Sequence, residues 1–202
     1  MPGPVYIALE GAEACGKSTH ARRLAEAIGA VATRETGGTA VGQRLREILH
    51  DTDVTELDDH AETLIVAADR AQHLAEVVRP ALDRGQHVVS DRSIYSTIAY
   101  QGYGRGLPLD DVRRINDWAV RDTVPDLVVL LTVPEDMIAA RLEKRDLDRF
   151  EQAGHAFHER VDEGFATMAA LEPDRWVVVD ASGDPDEVAA TIRAAVHERL
   201  GV

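Results

Sequence analysis

The sequence predicts a doubly wound α/β fold, a five-stranded parallel sheet with helices on both faces. Three observations predict it. Five β-type apolar runs alternate with helical segments. None of the runs has the polar alternation of a one-sided sheet. The first run leads straight into a glycine-rich loop that opens a helix. Strands apolar on both faces need covering on both sides, and repeated βα units set such strands parallel.

The elements follow in order. "VYIAL" (5–9) is the first strand, and "KSTHARRLAEAI" (17–28) reads as a helix closed by Gly29. "AVAT" (30–33) is the second strand. A long helix is expected across "ELDDHAETLIVAADRAQHLAEVVRPALDRG", ending at Gly85. "HVVSD" (87–91) is the third strand, and "LDDVRRINDWAVRD" (109–122) the next helix. "DLVVLLTV" (126–133) is the fourth strand, with Pro134 opening "PEDMIAARLEKR", and "RWVVVD" (175–180) is the fifth. Glycine just past a helix end and proline at its start are the expected punctuation. No internal repeat, low-complexity tract or interdomain linker divides the chain, so one domain over 1–202 is expected.

Composition narrows the class. At 202 residues, with 45% hydrophobic and 29% charged residues, the chain suits a single globular domain with a real core. The formal net charge of −14 repels a polynucleotide backbone and argues against a nucleic acid polymer as partner. Local arginine clusters still leave small phosphorylated ligands open. Cys15 is the single cysteine, so no intrachain disulfide and no two-cysteine zinc half-site can form. No stretch approaches the roughly 20 apolar residues of a membrane span. The first ten residues carry no Lys or Arg, so no signal peptide and a cytoplasmic location are expected.

The chemistry begins at Gly11-Ala12-Glu13-Ala14-Cys15-Gly16-Lys17-Ser18, which fits G-x-x-x-x-G-K-[ST] between a strand and a helix. The glycines let the backbone curl so that N–H groups face phosphate oxygens, and the helix N-terminus adds positive potential. Lys17 is positioned for the β- and γ-phosphates of a nucleotide, and the Ser18 hydroxyl, followed by Thr19, for Mg²⁺. Cys15 occupies a variable position and reads as filler. "VVSDR" then ends a strand at Asp91 and Arg92, an acid suited to Mg²⁺ or its waters and an arginine suited to a second phosphate. No N-K-x-D guanine signature follows, and no strand ends in D-E as in motor ATPases. Arg34, Arg70 and Arg92 fall at strand ends or in an adjoining helix, and so converge on the carboxyl edge of the sheet. An isolated arginine would read as surface charge, but Arg92, beside a strand-end aspartate, reads as functional, and the three together suit a phosphorylated acceptor. "RLEKRDLDRF" (141–150) supplies Arg141, Lys144, Arg145 and Arg149, either as a basic lid at about 141–153 or as a charged helix face.

These motifs together resemble the thymidylate kinase family of P-loop nucleoside monophosphate kinases. "TRETGGT" (33–39) is similar to T-R-E-P-G-G-T, and "AADRAQH" (67–73) to the arginine-bearing helix. "DRSIYSTIAYQG" (91–102) is similar to D-R-Y-x-x-S-x-x-A-Y-Q-G, and "FHERVDEGF" (157–165) to F-H-E-R-V-R-x-G-Y. The resemblance implies a P-loop kinase fold using ATP and Mg²⁺ to phosphorylate a pyrimidine deoxynucleoside monophosphate, dTMP above all. It implies that Glu13 faces the acceptor sugar and Mg²⁺ region, and that Arg70 meets the base. Arg92 would hold the acceptor phosphate, and Ser96, Thr97, Tyr100 and Gln101 would line the nucleoside pocket. Ala14 carries no charge, so the chain resembles the form whose catalytic arginines lie in the lid, here Arg145 and Arg149. A homodimer burying part of the 56–84 helix is implied too. Four positions depart from the pattern: Thr36, Val66, Ser93 and Asp162. Val66 replaces a stacking ring, and Ser93 replaces a second aromatic, which leaves open a different, 5-substituted pyrimidine acceptor or a non-catalytic nucleotide-binding regulator.

Overall fold

The computed structural model describes residues 3–143 and 147–202. Among them, β1 (Tyr6–Gly11), β2 (Val31–Arg34), β3 (Val88–Asp91), β4 (Leu127–Thr132) and β5 (Trp176–Asp180) form one parallel sheet in the order β2-β3-β1-β4-β5. All five expected strands are present. β1 runs two residues past its apolar core to Gly11 and is buried throughout.

The register sets the site. Arg34 pairs with Asp91, Asp91 with Leu9, and Gly11 with Leu131. The carboxyl ends of the three strands around β1 therefore open onto one crevice, at the point where strand order switches.

Helices cover both faces. α1 (Lys17–Ile28) and α9 (Pro185–Leu200) close one side, where Ala21, Leu24, Val188 and Ile192 pack on Ile7, Leu9 and Val129. Gly29 caps α1 in the left-handed region (φ 66°), as its position at a helix end predicts. The other face is covered by α3 (Asp59–His73), α4 (Arg79–Asp83), α5 (Ile94–Thr97), α6 (Leu109–Val120) and α8 (His155–Leu171). Leu74, Val78, Phe165 and Trp176 fill the core beneath. α7 (Glu135–Leu142) follows Pro134, and α2 (Ala40–His50) is capped by the Thr39 hydroxyl, which accepts from the Gly42 amide at 2.9 Å.

The expected helix over 56–84 starts later and is not uniform. Asp58 caps it by accepting from the His60 amide at 2.9 Å. The stretch Leu74–Val78 widens into a π-helix just before Pro80, a residue that cannot donate to the helical ladder. A second π-helical stretch, Ile98–Gly104, follows α5 and carries Tyr100 and Gln101.

Candidate active site

Loop residues 11–16 join β1 to α1. Gly11 has φ +139°, and a Cβ there would collide with the Leu131 carbonyl, while Gly16 at φ +99° turns the chain into α1. The Lys17 ammonium is buried and donates to the carbonyls of Gly11 (3.1 Å) and Ala12, beside Cys15 Sγ at 3.5 Å. Cys15 is buried under the loop, consistent with a filler. Ser18 Oγ donates to Asp91 Oδ2 at 2.5 Å, and Asp91 Oδ1 is a buried oxygen without a protein partner among the described residues.

Arg92 follows β3 with φ +73°, a conformation that non-glycine residues hold only when the surroundings impose it. Its guanidinium donates to Ser96 Oγ (3.0 Å), Tyr100 Oη (3.0 Å) and Glu13, and sits 4.9 Å over the Tyr100 ring. Tyr100 Oη donates to Glu13 Oε1 at 3.0 Å. Burial alone would raise the Glu13 carboxyl, but Arg92 and Lys17 outweigh it and hold it at about 2. Burial likewise opposes the charge on Arg92, and the Glu13 carboxylate overcomes it. Beneath this pair, Glu10 accepts from the Ser93 amide (2.8 Å), Ser93 Oγ (2.7 Å) and Ser96 Oγ (2.6 Å).

These groups share one cavity of about 340 Å³. It is lined by Glu13, Ala14, Gly16, Lys17, Ser18 and Thr19 of the P-loop segment and the start of α1, by Asp91 and Arg92 after β3, and also by Arg34, Val66, Arg70, Ser96, Thr97, Tyr100 and Gln101. Residues expected to hold a donor and residues expected to hold an acceptor thus line one space. Gly11, Ala12 and Cys15 form the back of the loop. Arg145 lies outside the described residues.

Arg149 departs from its expected place. It is not on the cavity wall; it donates to Leu49 O (2.9 Å) and Glu62 Oε2 (2.5 Å), with Phe150 stacked at 4.9 Å. Its guanidinium is thus committed to a buried carboxylate. Arg141 instead reaches the P-loop, donating to Ala14 O at 2.8 Å.

Arg70 lines the cavity but is almost fully buried. Nε donates to Glu35 Oε2 (2.8 Å), one terminal nitrogen to Ser93 O (2.9 Å) and the other to Asn116 Oδ1. Glu35 is also bonded to His73 Nδ1 at 2.8 Å. Arg46, Glu35, His50 and Phe150 also line the cavity and were not among the expected site residues. Burial, together with repulsion from Arg34 and Arg92, pulls the Arg46 pKa down, as three guanidinium groups crowding one site would. Its sequence signal was available: an arginine on the helix that follows "TRETGGT".

The thymidylate kinase family model matches residues 9–192 of this chain. The chain belongs to the thymidylate kinase family. It is 45% identical over 202 residues to the thymidylate kinase of Synechococcus sp. (strain JA-2-3B'a(2-13)), covering 97% of this chain and 96% of that one. It is 43% identical over 209 residues to that of Nitratidesulfovibrio vulgaris (strain DSM 19637 / Miyazaki F), covering 97% of both. The crystal structure of thymidylate kinase from Ehrlichia chaffeensis superposes with a TM-score of 0.79 at 30% identity, covering 97% of this chain and 99% of that one.

Within this thymidylate kinase fold, two of the four departures do not touch the cavity. Ser93 is fully buried and spends its hydroxyl on Glu10, so it does not widen the acceptor pocket. Asp162, on α8, is not on the cavity wall either. Val66 and Thr36 do line it.

Proposed function

We propose that this protein transfers the γ-phosphoryl group of ATP to dTMP, forming dTDP and ADP. A phosphate oxygen of dTMP attacks the γ-phosphorus as its bond to the bridging oxygen of ADP breaks. The single observation that carries the reading is the shared cavity: the P-loop lysine and the Arg92–Glu13–Tyr100 cluster open onto the same space. Phosphoryl transfer asks the protein mainly for positioning and charge neutralisation. Lys17 and the loop amides hold the donor phosphates. Arg92, with Arg34 and Arg46 nearby, holds the acceptor phosphate. Glu13 and Tyr100 fix the Arg92 guanidinium and face the acceptor sugar. Val66, Thr97, Arg70 and Gln101 surround the base.

The hard oxygen donors Ser18 Oγ and Asp91, with Asp91 Oδ1 buried and unpartnered among the described residues, fit Mg²⁺. No cluster of three or more His, Cys, Asp or Glu suited to a metal occurs among the described residues. Mg²⁺ would supply charge neutralisation at the transferring phosphates. In the lid, Arg141 is assigned the contact with the P-loop, and Arg149 an anchoring role.

We also infer a homodimer. Leu64 on α3 is 56% exposed and Trp118 on α6 is 82% exposed, on two helices that pack together. Such exposure of large apolar side chains suits a partner surface. Among the described residues no helix is long and apolar enough to cross a membrane.

The test is ADP release with ATP and Mg²⁺ across dTMP, dUMP, a bulkier 5-substituted dUMP and dCMP. Turnover highest with dTMP supports the reading. Tight ATP binding without turnover of any acceptor would instead favour a non-catalytic regulator.

A further inference from the structure

We propose that Glu62 fixes the orientation of the Gln101 side-chain amide, so that Gln101 presents its carbonyl oxygen to the acceptor base and selects a pyrimidine bearing an N3–H over cytosine. The inference rests on the reading of the cavity as the acceptor site. Its residue is new to that reading, because Glu62 does not line the cavity.

Glu62 is fully buried on α3. Gln101 Nε2 donates to its Oε1 at 2.8 Å. Arg105 Nε reaches the same oxygen at 3.2 Å, and a terminal nitrogen of Arg105 reaches Oε2 at 3.0 Å. Arg149 donates to Oε2 at 2.5 Å. Burial pushes this carboxyl up, but the hydrogen bonds from Arg105, Gln101 and Arg149 and the Arg105 charge bring it below its ordinary value, so it is ionised.

An ionised carboxylate only accepts hydrogen bonds. The end of the Gln101 amide that faces Glu62 must therefore be the NH₂. Amide orientation is otherwise a matter of network logic, and here the network decides it. With Nε2 committed, the carbonyl oxygen is the end left for a ligand.

The cavity around Gln101 asks for such a ligand. Thr97, four residues earlier, is fully buried, lines the same wall, and its hydroxyl has no partner among the described residues. The Arg70 donors on that wall are held by Glu35, Asn116 and the Ser93 carbonyl, so the Thr97 hydroxyl is the group that can donate beside the Gln101 oxygen. A donor beside an acceptor complements a carbonyl beside an imino N–H, the edge of thymine and uracil. Cytosine presents a lone pair at N3 and an amino group next to it, and meets the Gln101 oxygen with repulsion. A site built around specific hydrogen bonds rejects a mismatched analogue strongly, because its own buried polar groups are then left unpaired.

The arrangement predicts what Glu62→Gln does. Its oxygen stays with Arg149 and the terminal nitrogen of Arg105, both of which donate to the Oε2 position, and the longer contact of Arg105 Nε with Oε1 at 3.2 Å is given up. Its NH₂ then faces Gln101, which must turn its carbonyl inward and its own NH₂ toward the base. The experiment is kcat/KM for dTMP and dCMP on the native protein and on Glu62→Gln. We expect the native protein to prefer dTMP, and the variant to lower the dTMP-to-dCMP ratio by about tenfold or more, the scale of one misdirected hydrogen bond. A folded variant with an unchanged ratio overturns the proposal. No dTMP turnover by the native protein overturns the acceptor reading and the proposal with it, a distinct result. Should Glu62→Gln fail to fold, the native protein decides by NMR. The Gln101 side-chain amide, assigned by its loss in Gln101→Leu, should exchange slowly with solvent before any nucleotide is added; rapid exchange overturns the proposal.

Discussion

Arg149 donates to Glu62 across 2.5 Å, bridging the segment after α7 to α3. That contact ties an arginine expected at the phosphates to a buried carboxylate that also holds Arg105. Arg141, on α7, instead donates to the P-loop carbonyl of Ala14.

The two arginines should separate in a single experiment. Arg141→Ala is expected to lower kcat by about tenfold or more, because its hydrogen bond to Ala14 O holds the loop assigned to the donor phosphates. Arg149→Ala should leave kcat within about threefold but cost about 1–3 kcal/mol of stability, since a buried carboxylate loses a charged partner. Steady-state kinetics and a thermal melt on both variants give the answer. The reverse pattern would return Arg149 to the phosphates.

Glu13 makes stability depend on acid. Its carboxyl has an ordinary value of 4.5 and is held at about 2 in the folded chain. A depressed folded value stabilises the protein fully above pH 4.5, and that contribution is lost as pH falls from there toward 2. The shift amounts to no more than about 3 kcal/mol. Other depressed carboxyls, Glu35 and Glu62, act in the same direction, so the comparison is between the native protein and Glu13→Gln. Denaturation midpoints measured from pH 6 down to 3 should fall less steeply for the variant. Parallel slopes would show that Glu13 carries no such linkage.

Val66 gives the base an apolar wall without a ring. A stacked aromatic contributes roughly 1–3 kcal/mol per base. Val66→Phe should therefore lower the KM for dTMP about five- to hundredfold while leaving kcat little changed. An unchanged KM would place the base against another part of the wall.

Much of this site was legible because its signals are local. The loop of residues 11–18, the Asp91–Arg92 step at a strand tip and the Gly29 cap each announce themselves within a few residues. What escaped was pairing across long sequence separations. Glu10 lies just past the first apolar run, yet it is fully buried because Ser93 and Ser96 satisfy it from more than 80 residues away. Ser93 reads as a lost ring in the pocket, and only the packed structure turns its hydroxyl toward Glu10. Arg70 was expected at the base with free donors, but Glu35, Asn116 and the Ser93 carbonyl already hold it. Arg149 is paired with a carboxylate 87 residues away. Charge sequence alone could not choose between that partner and a phosphate.

The central claim is that this cavity moves a phosphoryl group from ATP to dTMP through Lys17. The most direct measurement is transfer of label from [γ-³²P]ATP to dTMP in the presence of Mg²⁺, on the native protein and on Lys17→Ala with its fold checked by circular dichroism. The account predicts labelled dTDP from the native protein and a rate lower by orders of magnitude in the variant, since the buried lysine neutralises the group in transit. No labelled dTDP from the native protein, or a native rate in folded Lys17→Ala, would contradict it.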